Sequence, residues 1–220
     1  MPGAVAVSTG AASGMTIFGY HASHEQFDPS ELLACVRLAE QAGFAGASAS
    51  DHFHPWSERQ GSSGFVWSWL GAAMETTRLS YGTVSAPGWR YHPAILAQAG
   101  ATLSFMYPDR LWMALGSGQA LNEGVTGLNW PPKPERNARL RECVDVMRAL
   151  WDGETVTHRG RIVVEEAKLY VRPDRPPRVV GTGRFSSVPR SRRADSGSIT
   201  RIGTCRSDSE NFALFWSISP

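Results

Sequence analysis

Apolar and polar positions follow each other along the chain in a repeating order, in which a short apolar run precedes a longer segment of helical periodicity. The short runs predict four β-strands, at Thr16–Tyr20, Phe44–Ser50, Leu79–Ala86 and Leu111–Leu115. In the longer segments apolar residues recur three or four positions apart, which predicts helices at residues 29–42, 65–77, 93–105 and 137–151. Strands that alternate with helices in this way are typical of βαβ units around a parallel sheet.

The number of these units favours an α/β fold of the (β/α)8 TIM-barrel type over a doubly wound sheet. No glycine-rich phosphate-binding turn follows the first strand, as a dinucleotide-binding sheet would require. Residues 154–170 predict a β-hairpin around Arg159-Gly160-Arg161, and Val179-Val180-Gly181 predicts the start of a fifth parallel strand. We therefore expect an incomplete barrel of about five βα units.

The segment after the fifth strand differs in character. From Gly183 onward serine and arginine dominate and the apolar periodicity stops. The sequence thus predicts a disordered leader at residues 1–14, a partial barrel domain at residues 15–182 and an aberrant, disordered tail at residues 183–220. A shifted reading frame and a disordered regulatory tail would both account for the tail. The first is favoured because a barrel does not close on five strands.

Composition narrows the classes of function. The chain has 220 residues, of which 42% are hydrophobic, and a formal net charge of +2. These values predict one soluble domain and argue against nucleic acid or a membrane as partner. The three cysteines, Cys35, Cys143 and Cys205, have no paired spacing, so neither a disulfide framework nor a metal site is expected. Scattered cysteines and the lack of a secretory signal pattern indicate the cytoplasm.

Polar clusters follow each of the four predicted strands. They are His24-Glu25, Ser50-Asp51-His52, Val84-Ser85-Ala86-Pro87 and Gly116-Ser117-Gly118-Gln119. A parallel barrel gathers its chemistry from the loops at the carboxyl ends of successive strands. The sequence therefore predicts one shared pocket at that edge of the sheet.

Further motifs accompany these clusters in a consistent order. They are Gly19-Tyr20-His21, Glu25-Gln26-Phe27, Asp51-His52-Phe53-His54-Pro55-Trp56, Arg90-Tyr91-His92-Pro93-Ala94, Ala120-Leu121-Asn122-Glu123 and Trp130-Pro131-Pro132. With them, the chain from Met15 to Val180 resembles the luciferase-like flavin monooxygenase superfamily. The most similar branch holds the deazaflavin-dependent glucose-6-phosphate dehydrogenases and their FMN-dependent relatives. The resemblance implies a TIM-type barrel and a redox enzyme.

The resemblance also implies catalytic roles for four residues. His52 matches a base that takes the proton of a substrate hydroxyl as hydride leaves the same carbon, a role suited to imidazole because its unperturbed pKa is about 6.5. Asp51 matches its orienting partner, which lies beside the cofactor ring. Trp56 matches an aromatic side chain that positions the substrate, and Glu25 matches a carboxylate near the same pocket. Simple packing for Trp56 and a surface position for Glu25 are the alternatives.

Cofactor contacts follow from the same resemblance. They fall on Asp51, Val84, Ala86, Ser117, Gly118, Gln119 and Asn122. Relatives have a non-prolyl cis peptide where this chain has Thr83–Val84. The deazaflavin dehydrogenases have a proton-donating glutamate where this chain has Gln119, and an amide has no titratable proton. FMN is therefore the expected cofactor, with a deazaflavin as the alternative.

The expected function is an oxidoreductase or monooxygenase that passes a hydride between a small organic substrate and the flavin or deazaflavin, with molecular oxygen as an optional co-substrate. The family implies a homodimer. One alternative is a metal-dependent hydrolase on a TIM barrel, because His52 and His54 resemble a paired-histidine site, although the ends of the third and fourth strands offer few further ligands. Another is an inactive truncated remnant, since half a barrel exposes an apolar edge.

Overall fold

A computed structural model describes residues 19–181 of the chain, together with the backbone of two strands at residues 199–205 and 213–218. The parallel strands are β1 (Gly19–Ala22), β2 (Gly46–Ser50), β3 (Ser80–Ser85), β4 (Leu111–Leu115) and β7 (Arg178–Gly181). The helices are α1 (Pro29–Gln41), α2 (Val66–Thr76), α3 (Pro93–Met106), α4 (Ala120–Glu123) and α5 (Lys133–Asp152), with a 3₁₀ turn at Gly124–Thr126. The remaining strands are β5 (Val156–Arg159), β6 (Val163–Ala167), β8 (Ile199–Cys205) and β9 (Ala213–Ile218).

The five parallel strands form one sheet in the order β1-β2-β3-β4-β7. Their register aligns Ala22, Ala49, Thr83, Met113 and Val179 across the sheet. Each strand therefore ends at the same edge, as the sequence predicts. The fifth strand lies at the predicted position beside β4, and the predicted hairpin is confirmed as the antiparallel pair β5-β6.

The two faces of this sheet differ in what covers them. Tyr81, Met113 and Leu115 point to one face, where they join a single hydrophobic core with residues of α1, α2, α3 and α5. Because side chains alternate along a strand, Trp112 and Ala114 point to the opposite face and pack with Val180 in a separate small cluster. The described helices thus cover one face of the sheet, as the helices of a βα barrel do.

Local sequence signals set most of the helix ends. Asp28 caps α1, because its carboxylate accepts hydrogen bonds at 2.8 Å from the backbone N–H groups of Ser30 and Glu31. In return, the carboxylate of Glu31 accepts a hydrogen bond from the backbone N–H of Asp28. The predicted start of α5 at Asn137 is wrong by four residues, since the helix begins at Lys133. Pro134 lies in its first turn, where a missing N–H costs nothing. The short helix α4 was not predicted.

The β5-β6 hairpin is tied to the helices by polar contacts. On α5, the carboxylate of Glu142 accepts hydrogen bonds from Arg161 at 2.7 and 2.8 Å and pairs with His158 at 3.0 Å. At the start of α3, the His92 ring bonds to the carbonyl of Val163 at 2.8 Å. The hairpin therefore packs against α3 and α5, and Ile162 and Val164 join the hydrophobic core.

Residues 1–14 of the predicted leader lie outside the described residues, and so does most of the predicted tail. Within the tail the described strands β8 and β9 pair with each other in antiparallel fashion. None of the helices in the described part of the chain is both long and apolar enough to cross a bilayer.

The contact between Gly82 and Trp112 gives a test of the sheet. A Cβ built on Gly82 would lie 1.8 Å from the indole of Trp112, which is 5% exposed. We expect Gly82→Ala to lower the free energy of unfolding by about 1–3 kcal/mol, because the buried ring must move. Thermal and denaturant unfolding followed by circular dichroism measures the change.

The matched control is Gly71→Ala in α2, where an added Cβ meets nothing within 4 Å. This change should leave stability equal or raise it by up to about 1 kcal/mol, because alanine is the better helix former. Equal stability of the two variants would contradict the close packing of Trp112 against Gly82.

Candidate active site

The loops at the carboxyl edge of the sheet bring the predicted site residues together. Glu25 follows β1, Asp51 and His52 follow β2, Ala86 follows β3, and Ser117 to Gln119 follow β4. Hydrogen bonds join the loop after β1 to β2, the end of β2 to β3, and the loop after β2 to the loop after β4. The predicted residues that follow the strands therefore gather at one edge of the sheet.

Glu25 and His52 form the central pair of this site. Nδ1 of His52 contacts Oε1 of Glu25, and the carboxylate is 3% exposed. The other oxygen, Oε2, accepts hydrogen bonds from Ser23 at 2.8 Å and from Ser50 at 2.7 Å. Glu25 is thus a buried acid with its acceptor positions used by three donors, and the surface position weighed for it is wrong.

The protonation of this pair follows from the hydrogen bonds. Burial acts to raise the pKa of Glu25, but the bonds from His52, Ser50 and Ser23 outweigh it and lower that pKa to about 2. The carboxyl is therefore ionised at neutral pH and can only accept hydrogen bonds. Nδ1 of His52 is therefore the donor in this contact, so that in the neutral imidazole the lone pair lies on Nε2.

Asp51 belongs to a second network. Its carboxylate accepts hydrogen bonds from Ser85 at 2.5 Å, from Tyr91 at 2.7 Å and from Arg90 at 3.1 Å. Arg90 also donates to the backbone carbonyl of Asp51 at 2.7 Å. The role of orienting His52, which the resemblance implies for Asp51, is filled in the structure by Glu25. Asp51 instead fixes the tip of β2 against β3 and its loop.

Arg90 balances two buried acids. Its guanidinium lies 3.1 Å from Asp51 and 3.5 Å from Oε2 of Glu123, and its side chain is 8% exposed. Burial acts to lower the pKa of Arg90, but Asp51, Tyr91 and Glu123 outweigh it and raise that pKa. Burial also raises the pKa of Tyr91 and of Glu123. The tyrosine therefore stays a neutral donor to Asp51 and the arginine a fixed cation.

Asn122 connects the loop after β4 to the loop after β2. Its side-chain oxygen accepts hydrogen bonds from the backbone N–H groups of Phe53 at 2.8 Å and His54 at 3.0 Å. Its amide nitrogen donates to Gln119 at 3.3 Å. The predicted cofactor contacts Asn122 and Gln119 thus lie at the site, and Asn122, at 1% exposure, holds the loop after His52 in place.

Gly118 occupies a position that excludes a side chain. Its φ of +80° is in the left-handed region, and an added Cβ would lie 2.8 Å from Glu123, 3.1 Å from Trp130 and 3.3 Å from Ala86. The backbone of this loop therefore approaches the loop after β3 at close range. Ala86 and Gly118, both predicted cofactor contacts, share one wall.

Two predicted residues present apolar surface. The side chain of Val84 is 40% exposed on the sheet face opposite the helices, with Ser50 and Ala114 as its strand neighbours. Trp56 is 56% exposed and meets His52 edge to face, with ring centroids 5.0 Å apart. The sequence left both a cis peptide and an ordinary strand end open at Thr83–Val84. The structure has the ordinary strand, because no peptide bond among the described residues is cis and the β3 ladder continues through both residues.

Several residues of the site were not predicted. Ser50 directly precedes Asp51 at a strand end, and Arg90-Tyr91 lies in a motif of the resemblance, so both carried a signal. Ser23 carried no such signal, because the role of its hydroxyl depends on where Glu25 lies in the folded chain. The residues without a predicted role are Ser23, Ser50, Ser85, Arg90, Tyr91 and Glu123.

The described residues provide no set of ligands for the metal site considered at His52 and His54. Nδ1 of His52 is bound to Glu25, and the His54 ring lies on Phe53 at 5.0 Å between centroids. Within the described ranges, no group of three or more histidine, cysteine, aspartate or glutamate side chains is arranged to hold a metal ion.

Curated proteins similar to this chain include two F420-dependent glucose-6-phosphate dehydrogenases. That of Microbacterium testaceum is 43% identical over 190 residues, which are 84% of this chain and 56% of that protein. That of Mycolicibacterium gilvum is 46% identical over 161 residues, which are 71% of this chain and 48% of that protein. The chain thus spans about half the length of the curated relatives it matches.

Solved structures similar to this chain include two F420-dependent enzymes. An F420-dependent secondary alcohol dehydrogenase in complex with an F420–acetone adduct superposes with a TM-score of 0.73 at 40% identity, covering 76% of this chain and 52% of that one. A coenzyme F420-dependent tetrahydromethanopterin reductase from Methanopyrus kandleri, at 22% identity and a TM-score of 0.59, covers 73% of this chain and 47% of that one and bears on the fold alone. The predicted TIM-barrel-type fold, in incomplete form, is confirmed. The sequence profile described as luciferase-like monooxygenase matches residues 11–193, and the chain belongs to that family.

Proposed function

We propose that this protein is an oxidoreductase that works with a deazaflavin of the F420 type and removes a hydride from a hydroxyl-bearing carbon of a small organic substrate. The observation that carries the proposal is the buried Glu25–His52 pair at the carboxyl edge of the sheet, which leaves Nε2 of His52 as a base. Relatives that are 40% and 43% identical are named as F420-dependent dehydrogenases, which supports it.

A deazaflavin now takes precedence over FMN, which the sequence favoured through Gln119. In the structure the Gln119 side chain is exposed and accepts a hydrogen bond from Asn122. It cannot donate a titratable proton, but nothing in this contact selects FMN. A Baeyer-Villiger monooxygenase solved in complex with FMN is 19% identical and informs only the fold. The more similar relatives carry F420 in their names, and they support the deazaflavin.

The described residues fit a planar ring system. The side chain of Val84 is exposed on this face of the sheet, and its strand neighbours Ser50 and Ala114 are small. Val84 therefore provides an apolar floor with space beside it. Beside it the loop containing Gly118 has no room for a Cβ, so a ligand there would meet backbone amides directly. Val84, Ala86, Ser117 and Gly118 would hold the ring, which when bound supplies the two-electron redox chemistry.

The chain's own residues supply the proton chemistry. Nε2 of His52 would accept the hydroxyl proton of the substrate, while the ionised Glu25 stabilises the imidazolium that results. Trp56 packs on the His52 ring and exposes its other surface, which suits it to line the substrate. The reaction then needs no acid at Gln119, because a proton for the reduced cofactor can come from water.

Neutral alcohols suit this edge of the sheet better than sugar phosphates. Arg136 donates to the carbonyl of Gly118 at 3.2 Å near this edge, and Arg90 is committed to Asp51 and Glu123. A phosphate would have to compete with both carboxylates for it. The secondary alcohol dehydrogenase among the similar structures supports the same class of substrate. A series of secondary alcohols, with glucose 6-phosphate beside it, is therefore the first substrate panel.

We also propose a homodimer, and mass measurement of the purified chain in solution tests that.

The cofactor is tested by titration of the full chain. Adding it to a deazaflavin of the F420 type should change the absorption and fluorescence of the deazaflavin, because the ring leaves water for an apolar floor. FMN should be unaffected at the same concentrations. A spectral change with FMN alone would reverse the assignment, and binding without turnover on the alcohol panel would contradict the proposed substrate class.

Gly118 tests the binding wall. Gly118→Ala should weaken deazaflavin binding at least about tenfold, since a Cβ forces the loop away from Ala86 and Trp130. Gly127→Ala is the matched control, because Gly127 has a similar φ of +72° but open space around it. Equal losses of affinity in the two variants would indicate that backbone strain alone causes the effect. They would contradict the close packing of Gly118 against Ala86 and Trp130. Fluorescence titration gives both dissociation constants.

The base is tested by kinetics on the alcohol that turns over best. His52→Ala should lower kcat by about 100-fold to 10,000-fold, the usual contribution of a general base. His54→Ala is the control, since its backbone bond to Asn122 does not need the side chain, and it should stay within about threefold of the parent. Equal losses at both positions would instead favour the paired-histidine metal hypothesis.

A further inference from the structure

Two serine hydroxyls converge on one oxygen of Glu25. Oε2 accepts from Ser23 at 2.8 Å and from Ser50 at 2.7 Å, while Oε1 contacts His52. Ser23 is 9% exposed and Ser50 is 7% exposed, so water does not readily replace either hydroxyl. The two oxygens of the carboxylate therefore have different tasks.

The direction of the bond from Ser50 is determined by its other partner. The backbone N–H of His24 donates to Oγ of Ser50 at 3.0 Å, and a backbone N–H can only donate. Since a serine hydroxyl has one hydrogen, that hydrogen goes to Glu25. The loop after β1 thus aims the Ser50 proton at the carboxylate.

We infer that Ser50 and Ser23 are positioning residues that hold Glu25 ionised, with Oε1 turned to His52, and so fix His52 in the form that has its proton on Nδ1 and its lone pair on Nε2. This inference rests on the proposed function in one respect only, because the proposed reaction is what uses the lone pair on Nε2 of His52. With Oε2 occupied by two donors, Oε1 is the oxygen left to accept the Nδ1 proton.

Charges on the neighbouring side chains are not the main reason that Glu25 is ionised. Burial lowers the pKa of His24 to about 4 and also lowers the pKa of His21, so both rings are neutral near pH 7. Neither ring nitrogen of His24 has a hydrogen-bond partner within the described structure, as a neutral ring edge-on to Trp69 allows. Asp51, which also acts on His24, is an anion and would oppose a second negative charge. The hydrogen bonds from His52, Ser50 and Ser23 therefore each do more than a neighbouring charge to keep Glu25 ionised.

Loss of the Ser50 hydroxyl should loosen this arrangement. In Ser50→Ala, Oε2 keeps one donor and becomes available to His52, so the carboxylate can rotate. We expect kcat to fall about 10-fold, the effect of one hydrogen bond to a charged group, while KM changes less than about twofold. The double variant with Ser23→Ala should fall further.

The direct test is the ¹⁵N spectrum of histidine-labelled full chain without any cofactor, near pH 7.5. In the parent, Nδ1 of His52 should have the shift of a protonated nitrogen and Nε2 that of an unprotonated one. In Ser50→Ala both signals should move toward the average of the two forms. Ser50→Thr, which keeps the hydroxyl, should restore the parent pattern.

Ser48→Ala is the matched control. Ser48 lies two residues before Ser50 on the same face of β2, and its hydroxyl bonds to His21 at 2.9 Å. It should leave the His52 signals unchanged. Unchanged signals in a folded Ser50→Ala, or equal shifts in Ser48→Ala, would overturn the inference. If Ser50→Ala does not fold, Ser23→Ala removes the other donor and is judged by the same signals.

This readout is separate from the proposed function. If the deazaflavin does not bind but the His52 signals respond as described, the positioning role stands and the cofactor assignment fails. If the deazaflavin binds and turns over while Ser50→Ala leaves the signals unchanged, the positioning role fails alone.

Discussion

A negative charge buried between two loops is the constraint on which the site depends. Glu25 lies at 3% exposure, where an unpaired carboxylate would be strongly destabilised. Hydrogen bonds from Ser23, Ser50 and His52 offset that cost. Ser23 is on the same loop, whereas Ser50 and His52 come from the next strand. The charge can therefore persist only when β1 and β2 are paired in their observed register.

The second acid is kept apart from the first by its own partners. Asp51 is adjacent to His52 in sequence, yet its carboxylate is turned to Ser85, Arg90 and Tyr91 on the loop side of β3. Arg90 extends this network to Glu123 after β4. Two carboxylates in one small site would repel each other if they shared donors. The separation lets one of them serve His52 while the other ties three strand ends together.

Much of the fold could be predicted because it follows from local patterns. The strand and helix periodicities, the Asp28 cap and the hairpin around Gly160 all depend on residues near one another in sequence, and each is present in the structure. The predicted start of α5 was wrong because the apolar stripe that marks the helix begins only at Leu140, whereas the helix itself begins at Lys133 with Pro134 in its first turn. The short α4 was missed because four residues contain too little periodicity to detect.

The sequence by itself determined that polar residues would meet at one edge of a parallel sheet, and it placed His52, Trp56 and Gly118 there. It could not decide which acid serves the histidine. The family resemblance implied Asp51, but successive residues at a strand end point in opposite directions. Only the pairing of β1 with β2 brings Glu25, 27 positions away, against His52. Hydrogen bonds act over about 3 Å in space, and tertiary structure sets that distance.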